Sequence, residues 1–396
     1  MILICHIHCI LAQWVQTNGP SGGIVNCFAV CGANIFAGTD GGVFLTINNG
    51  TNWIELDSGI TNKTVRSLAV SGTNLFAGTD NGIFLSTNNG TSWDVINSGL
   101  WYTSVTTLTI GGTNIFAGTM GGYVFLSTNT GQSWNQISPY EMNRWITALA
   151  FIGKNFFVGS LGGGIFLSTN NGISWNTNDS GMTNLWIQSL AVSGMNLFAG
   201  TTGGIYLSTN NGTSWTMNSA GLTSPSVLSF AVYGQNLFAG TSYGDGVFLS
   251  TNNGTSWTSV STSGFPKPDI NALAINGTNL FAGTYSNGVW RRPLSDMITG
   301  VEAQRNDLPS RFELYQNYPN PFNPTTTIRY SIPVDVHAML KVYDMYSREV
   351  TTLVDVTRKA GMYAVLFDGK DLPSGIYRYT LETEETTLTR VMALLK

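Results

Sequence analysis

The chain has 396 residues, of which only 18 are Lys or Arg and 22 are Asp or Glu, so its formal net charge at pH 7 is −4. Between Gln13 and Trp290 only five side chains are basic, too few for the positive stripe that nucleic-acid binding requires. The three histidines, His6, His8 and His337, all lie outside this region. A catalytic or metal site built on histidine is therefore excluded from it.

The chain starts with an apolar run, ILICHIHCILA (Ile2–Ala12), which is too short to span a bilayer. It resembles the core of a signal peptide, and we expect a signal over residues 1–12 with cleavage near Ala12–Gln13. The basic residues that usually precede such a core are missing, so we expect the natural signal to start earlier. The alternative is that this run is an N-terminal strand. No other segment predicts a transmembrane span.

One segment then recurs along most of the chain. NLFAGTDNGIFLSTNNGTSW (Asn74–Trp93) has near-copies at Asn34–Trp53 and Asn196–Trp215. The spacing between equivalent Phe residues is 40 to 43, and they stand at Phe36, Phe76, Phe116, Phe157, Phe198, Phe238 and Phe281. A period of this length is typical of a repeat architecture with seven units.

Each unit predicts four short strands. In the second unit they are Val65–Gly72, Asn74–Thr79, Gly82–Thr87 and Ser92–Asn97, separated by Gly-containing and Asn-Gly turns. Four antiparallel strands in about 40 residues are one blade of a β-propeller. We therefore predict an all-β chain with a seven-bladed propeller over residues 13–294. An open β-solenoid is the alternative.

The two ends of the repeat complement each other. Ala12–Pro20 resembles the fourth-strand segment Thr213–Gly221, whereas the last unit stops after three strands. Closure of the ring would complete that unit and remove exposed strand edges. We predict that the strand around Trp14 pairs with the third strand of the last unit, near Val289.

The turn Ser86–Trp93 resembles the Asp-box, or BNR, repeat of sialidases and sortilin-type receptors. Ser86, Gly90 and Trp93 match that pattern, but Asn88 stands where the family has Asp. The resemblance implies a folding element on the hairpin between the third and fourth strands. It does not imply sialidase activity, because sialidases hold a carboxylate with three arginines and only Arg66 and Arg144 occur between Gln13 and Trp290.

After a polar linker at residues 295–309, the composition changes. Residues 300–396 hold 11 of the 18 basic and 12 of the 22 acidic residues. NYPNPFNPTT (Asn317–Thr326), LPSGIYRY (Leu372–Tyr379) and MALLK (Met392–Lys396) resemble the type A C-terminal sorting domain of the type IX secretion system. The resemblance implies a small Ig-like β-sandwich over residues 310–396. The implied sorting signal comprises Asn317, Tyr318, Pro319, Asn320, Pro321, Phe322, Gly375, Tyr377 and Lys396.

That resemblance also implies a partner and a location. The partner is the type IX secretion machinery, and the protein is secreted or placed on the cell surface by way of the periplasm. The sorting domain is then usually removed. An adhesive sandwich that stays on the mature protein is the alternative.

Two sets of candidate site residues emerge from the repeats. Asp40 and Asp80 occupy equivalent turns and are the candidates for a catalytic carboxylate pair, although Asp also simply suits a turn. Large aromatic residues break the repeat in the segments that link one blade to the next and in the turns of the same face. The predicted ligand-binding residues are Trp101, Tyr102, Tyr140, Trp145, Trp186, Tyr243, Phe265 and Tyr285.

The sequence therefore favours a secreted, non-catalytic propeller that binds an extracellular glycan or protein. The alternative is a glycoside hydrolase that acts on polysaccharides with propeller carboxylates. A third hypothesis is an assembly factor of the kind found among other Asp-box-like propellers. The link aromatics could instead cap blade junctions. We expect a monomer. We also expect neither a metal nor a cofactor, because no zinc-type spacing or phosphate-binding loop occurs.

Overall fold

The computed structural model describes residues 13–20, 23–139, 142, 144–262, 264–266, 268–298, 311–317, 320–358 and 361–395. The predicted signal peptide lies outside these residues, as does most of the predicted linker. The chain divides into two compact units, residues 1–299 and 300–396. Both are all-β, as predicted, and a short 3₁₀ helix covers Leu294–Asp296. No helix in the described ranges has the length and hydrophobicity that a membrane crossing requires.

The described residues of the first unit form seven four-stranded antiparallel sheets, called blades one to seven. The N-terminal strand β1 is Val15–Gln16. Blades one to three contain β2 (Val25–Cys31), β3 (Asn34–Thr39), β4 (Gly42–Thr46), β5 (Ile54–Glu55), β6 (Val65–Ser71), β7 (Asn74–Thr79), β8 (Gly82–Ser86), β9 (Asp94–Val95), β10 (Val105–Gly111), β11 (Asn114–Thr119), β12 (Val124–Ser127) and β13 (Asn135–Gln136).

Blades four to seven follow the same order along the chain. Their strands are β14 (Ile146–Ile152), β15 (Asn155–Ser160), β16 (Gly164–Ser168), β17 (Asn176–Thr177), β18 (Ile187–Ser193), β19 (Asn196–Thr201), β20 (Gly204–Ser208), β21 (Thr216–Met217), β22 (Val227–Tyr233), β23 (Asn236–Thr241), β24 (Val247–Ser250), β25 (Thr258–Ser259), β26 (Ile270–Asn276), β27 (Asn279–Thr284) and β28 (Val289–Pro293).

Close packing between blades explains the glycine of the FAGT element. A Cβ added at Gly78 would lie 2.7 Å from Cγ1 of Val105, the first residue of β10 in the next blade. The same contact recurs around the ring, and it closes between Gly283 of blade seven and Val25 of blade one, at 2.5 Å. A larger residue would therefore force neighbouring blades apart.

The repeated turn has a structural role in blades one to six, which carry it between the third and fourth strands. In blade two the Asn88 Oδ1 atom accepts a hydrogen bond from the Ser92 N–H, and the Asn88 Nδ2 atom donates to Ser92 Oγ at 2.9 Å. A carboxylate could not donate the second bond. Trp93, which closes the repeat, is 4% exposed and donates from Nε1 to the Leu56 carbonyl of blade one at 2.8 Å. The turn therefore tightens the hairpin and ties adjacent blades together.

The predicted closure by the N-terminal strand is confirmed. Strand β1 pairs with β28 in antiparallel register, with Val15 opposite Arg291 and Gln16 opposite Trp290. Trp14 is 4% exposed, and its Nε1 atom donates to the Val260 carbonyl oxygen at 3.0 Å. Trp14 thus makes the inter-blade bond that Trp93 makes in blade two.

The second unit contains two sheets over one core. Its strands are β29 (Glu313–Leu314), β30 (Thr325–Ile332), β31 (Val336–Tyr343), β32 (Glu349–Arg358), β33 (Gly361–Asp368), β34 (Gly375–Thr383) and β35 (Thr387–Leu394). The sheet orders are β29-β30-β33 and β32-β31-β34-β35. Both sheets contribute to the core, which includes Ile328 and Tyr330 from the first sheet and Leu340 and Leu381 from the second.

Candidate functional site

One face of the propeller is built from two kinds of segment, and we call it the link face. It comprises the turns that follow each second strand and the links that precede each first strand. A backbone hydrogen bond joins the two in most blades. Met120 donates to the Ser104 carbonyl oxygen at 2.9 Å, and Leu161 donates to that of Trp145 at 2.9 Å. The repeat-breaking links and these turns therefore share one face, as predicted.

Two of the predicted ligand-binding residues line a single cleft on the link face, which we call the aromatic cleft. It has a volume of about 450 Å³ and lies where blades three, four and five meet. Its lining residues are Met120, Gly121, Arg144, Trp145, Leu161 and Trp186. The structure thus brings Trp145 and Trp186 together, although they precede different blades.

The turn after β15 positions both tryptophans. Besides the bond to Trp145, Leu161 forms an antiparallel β-bridge with Trp186. Gly162 has a φ of 86° and lies beside the Trp186 indole, whose Cε2 atom would be 3.6 Å from a Cβ at this position, an ordinary van der Waals distance. The left-handed conformation favours glycine here. The aromatic cleft is therefore held by backbone contacts as well as by side-chain packing.

The side chains of the aromatic cleft are accessible. Trp145 is 49% exposed and Trp186 is 55% exposed. Neither indole contacts another aromatic ring within the described part of the chain. A tryptophan that is half-exposed and not packed on another ring presents an apolar face to which a ligand can bind.

A second aromatic group borders this cleft. Trp101 is 56% exposed and packs on Tyr123 with ring centroids 4.4 Å apart, while Tyr102 lies 5.7 Å from the same ring. The Tyr102 ring also packs over Gly121, which lines the aromatic cleft. Tyr123 was not predicted. The signal that could have identified it is the extra residue in GGYVFLS, where blades one, two and five read GGVFLT, NGIFLS and GGIYLS.

Tyr243 and Tyr285 do not line this cleft, and both lie beside Asp269 on a different part of the link face. Tyr243 is 83% exposed and adopts a φ of 63°, which is uncommon for a residue with a Cβ. Its N–H donates to Asp269 Oδ1 at 2.7 Å, and the Tyr285 N–H donates to the Asp269 carbonyl oxygen at 3.0 Å. Asp269 therefore connects these two predicted residues.

The expectation that Phe265 is exposed is wrong. It is 5% exposed and stacks on Trp14 with ring centroids 4.7 Å apart. It also contacts Trp290 edge-on at 5.4 Å. The physical reason is the closure of the ring, since Phe265 fills the space beneath the N-terminal strand. Tyr140, also predicted for the binding surface, lies outside the described residues.

The carboxylate candidates are engaged by neighbouring side chains in blades one and two. Asp80 Oδ2 accepts from Arg66 Nη2 at 2.9 Å, and Ser104 Oγ donates to Asp80 Oδ1 at 3.0 Å. The hydrogen bond from the Arg66 guanidinium lowers the pKa of Asp80. Asp40 Oδ1 accepts from Asn26 Nδ2 at 2.9 Å.

The two candidate carboxylates are not part of the described lining of the aromatic cleft, and Asp80 is held in its ionised form. An aspartate with a lowered pKa stays ionised at neutral pH and cannot donate a proton as a general acid. At the turn positions of Asp40 and Asp80, blades three and four carry Met120 and Leu161. The described lining of the aromatic cleft thus contains no carboxylate, and the described ranges bring together no set of three or more His, Cys, Asp or Glu side chains that could hold a metal.

In the second unit, the predicted sorting residues converge on the last strand. Asn320 Oδ1 accepts from the Ala393 N–H at 2.8 Å, and the Phe322 N–H donates to the Ala393 carbonyl oxygen at 2.9 Å. Gly375 and Tyr377 pair with β35 from its other edge, opposite Leu394 and Met392.

Asn317 lies nearby in the same unit. It is 2% exposed, and its backbone N–H donates to the Tyr379 hydroxyl at 2.7 Å. Tyr318, Pro319 and Lys396 fall outside the described residues. The landmarks of the sorting motif are thus distant in sequence but form one structure around β35.

These features define a repeat propeller followed by a small β-sheet domain, and the comparisons agree with both parts. Residues 146–281 match the DUF6242 beta propeller domain, and residues 316–394 match the secretion system C-terminal sorting domain. The second match indicates export through the type IX system to the cell surface or beyond it. None of the curated proteins matches the chain in sequence.

Solved structures share the fold at low identity. PorZ, a surface component of the type IX secretion system of Porphyromonas gingivalis, aligns with a TM-score of 0.59 and 16% identity over 96% of this chain and 61% of its own. An ancestral GH74 enzyme aligns with a TM-score of 0.60 and 15% identity over 96% and 63%. YCF48 bound to a D1 peptide aligns with a TM-score of 0.58 and 13% identity over 71% and 96%. At these identities the likeness concerns the fold alone.

Proposed function

We propose that the propeller binds an extracellular glycan or protein through the aromatic cleft and catalyses no reaction. The observation that carries this proposal is the convergence of Trp145 and Trp186 on one open cleft. Both indoles are accessible without any rearrangement, so little ordering entropy is lost when a ligand binds. Export to the cell surface or beyond it makes an extracellular ligand the natural partner.

The exposed indoles of the aromatic cleft favour a ligand with a flat face that can stack on them. Trp145 and Trp186 offer large apolar surfaces on links that main-chain contacts with Leu161 hold in place. Such residues dominate binding energy in well-packed interfaces. The neighbouring group of Trp101, Tyr102 and Tyr123 continues the aromatic surface beyond Gly121. An extended ligand, such as several consecutive sugars, could use both parts.

The hydrolase alternative receives less support. Glycoside hydrolysis needs two carboxyl groups about 5–10 Å apart across a cleft, one of them protonated. Asp80 is ion-paired with Arg66, and the described lining of the aromatic cleft has no acidic residue. The likeness to an ancestral GH74 enzyme concerns the fold and does not supply these groups.

The test is a glycan array probed with the full chain, followed by product analysis on every glycan that binds. We expect binding to at least one extracellular polysaccharide without release of new reducing ends. Release of new ends by the wild type, and not by an Asp40→Asn/Asp80→Asn variant, would support the hydrolase instead. If no glycan and no purified surface protein binds, the proposal is wrong.

A further inference from the structure

Arg144 is the one charged side chain in the described lining of the aromatic cleft. It lies next to Trp145 in sequence, and its Cγ atom would lie 3.3 Å from a Cβ at Gly163. The aliphatic part of Arg144 therefore packs on the turn after β15, and its guanidinium group remains exposed beside the two tryptophans.

The other basic side chains of the described propeller are mostly engaged within the protein. Their partners are Glu55 and Asp57 for Lys63, Asp80 for Arg66, the Asn49 carbonyl for Arg291, and the Val260 and Asp296 carbonyls for Arg292. Among the described basic residues of the propeller, only Arg144 and Lys154 have no such partner.

Lys154 stands at the other end of the same strand. Arg144 precedes β14 on the link face, whereas Lys154 follows it in the turn to β15. Arg144 is therefore the free guanidinium that the described link face offers to a ligand. Its planar group can donate two parallel hydrogen bonds to a carboxylate, which a neutral sugar cannot accept in the same way.

We propose that the ligand of the aromatic cleft is an acidic polysaccharide whose uronate carboxylate binds Arg144 while sugar rings stack on Trp145 and Trp186. This inference rests on the proposed function and specifies its ligand class. The absence of any carboxylate from the described lining of the cleft removes the repulsion that such a ligand would meet beside Asp40 and Asp80.

The experiment compares polygalacturonate with its fully methyl-esterified form, which has the same backbone without charge, and adds alginate as a second uronate polymer. Calorimetry on the full chain would measure affinity for the wild type, Arg144→Gln, Arg144→Lys and Lys154→Gln. We expect the wild type to bind at least one acidic polymer about tenfold or more tightly than the methyl ester, since charge-assisted bonds are worth roughly 1.5–3 kcal/mol. Arg144→Gln should abolish this preference, Arg144→Lys should retain part of it, and Lys154→Gln should keep it.

Three outcomes would overturn the proposal. They are equal affinity for the ester and the acid, equal losses in Arg144→Gln and Lys154→Gln, and no binding of either acidic polymer. A wild type that binds only neutral glycans, through Trp145 and Trp186, would leave the proposed function intact and remove only the acidic ligand. A glycan that binds normally to a Trp145→Ala/Trp186→Ala variant would overturn both. The melting temperature of each variant would show that folding is unchanged.

Discussion

The backbone N–H of Leu161 donates to the carbonyl oxygen of Trp145 at 2.9 Å. The same residue forms a β-bridge with Trp186, so one turn of blade four holds the links that enter blades four and five. Since these bonds use the main chain, the positions of the two links do not depend on the indole rings themselves. The rings can therefore be removed without dismantling the link face.

This relationship leads to the first prediction. Trp145→Ala and Trp186→Ala should each weaken ligand binding by about 2 kcal/mol or more, which is typical of an aromatic hot spot. Their melting temperatures should change little, because both side chains are about half-exposed. Binding would be measured by calorimetry and stability by thermal unfolding.

The matched control for these variants is Trp93→Ala. Trp93 is 4% exposed and bonds to the neighbouring blade, so its truncation should cost about 3–5 kcal/mol of unfolding free energy. If Trp145→Ala and Trp186→Ala melt as early as Trp93→Ala and still bind normally, these residues cap blade junctions and the aromatic cleft is not a binding site.

The second prediction concerns ring closure. Trp14→Ala should lower the unfolding free energy by about 3–5 kcal/mol, because it leaves a cavity beside Phe265 and removes the hydrogen bond to the Val260 carbonyl oxygen. Val15→Ala is the control, since Val15 is 52% exposed and its change should stay within about 0.5 kcal/mol. Denaturant unfolding of both variants would measure this. Equal stability of the two would mean that the N-terminal strand contributes nothing through Trp14.

The third prediction is a pH dependence. The hydrogen bond from Arg66 lowers the pKa of folded Asp80, so the pair stabilises the fold at a pH above the unfolded aspartate value of about 3.9. That contribution is lost as the pH falls through the lower, folded pKa. Wild type should be more stable than Asp80→Asn near neutral pH by roughly 0.2–1 kcal/mol, the range of surface pairs.

Thermal unfolding from pH 7 downward would measure this difference. The two proteins should converge in strongly acidic solution, where Asp80 is protonated in both states. A gap that is unchanged across the whole range would show that the Asp80–Arg66 pair is not its source.

The fourth prediction concerns export. Phe322 is 2% exposed, and its backbone bonds with Ala393 and Leu395 join the NPF segment to β35. Phe322→Ala should therefore loosen the sorting domain and leave more of the protein in the periplasm of a host with an intact type IX system. Removal of residues 308–396 should trap a folded propeller there completely.

Cell fractionation with an antibody to the propeller would measure both effects. Leu366→Ala is the control, because Leu366 is 66% exposed on the same domain and its loss should not change export. Extracellular propeller from the truncated protein would contradict the role of this domain in export.

The sequence by itself determined the features that depend on short-range order. Strand lengths, turn positions and the blade period follow from alternating apolar residues and from Gly and Asn at turns, all within about 40 residues. The complementary fourth-strand segment at Trp14 also predicted the closure of the last blade. The sorting motifs were recognisable for the same reason, since each is a short ordered string.

Only the tertiary structure decided which link residues face solvent. Phe265 and Trp145 are both aromatic residues in variable links, yet Phe265 is buried by Trp14, which lies near the start of the chain. Burial depends on contacts between distant segments, and no local pattern encodes it. The ion pair between Asp80 and Arg66 also depends on tertiary structure, because it forms when β6 and β7 pair. The aromatic cleft likewise exists only because the packing of neighbouring blades places Trp145, Trp186 and Arg144 around one turn.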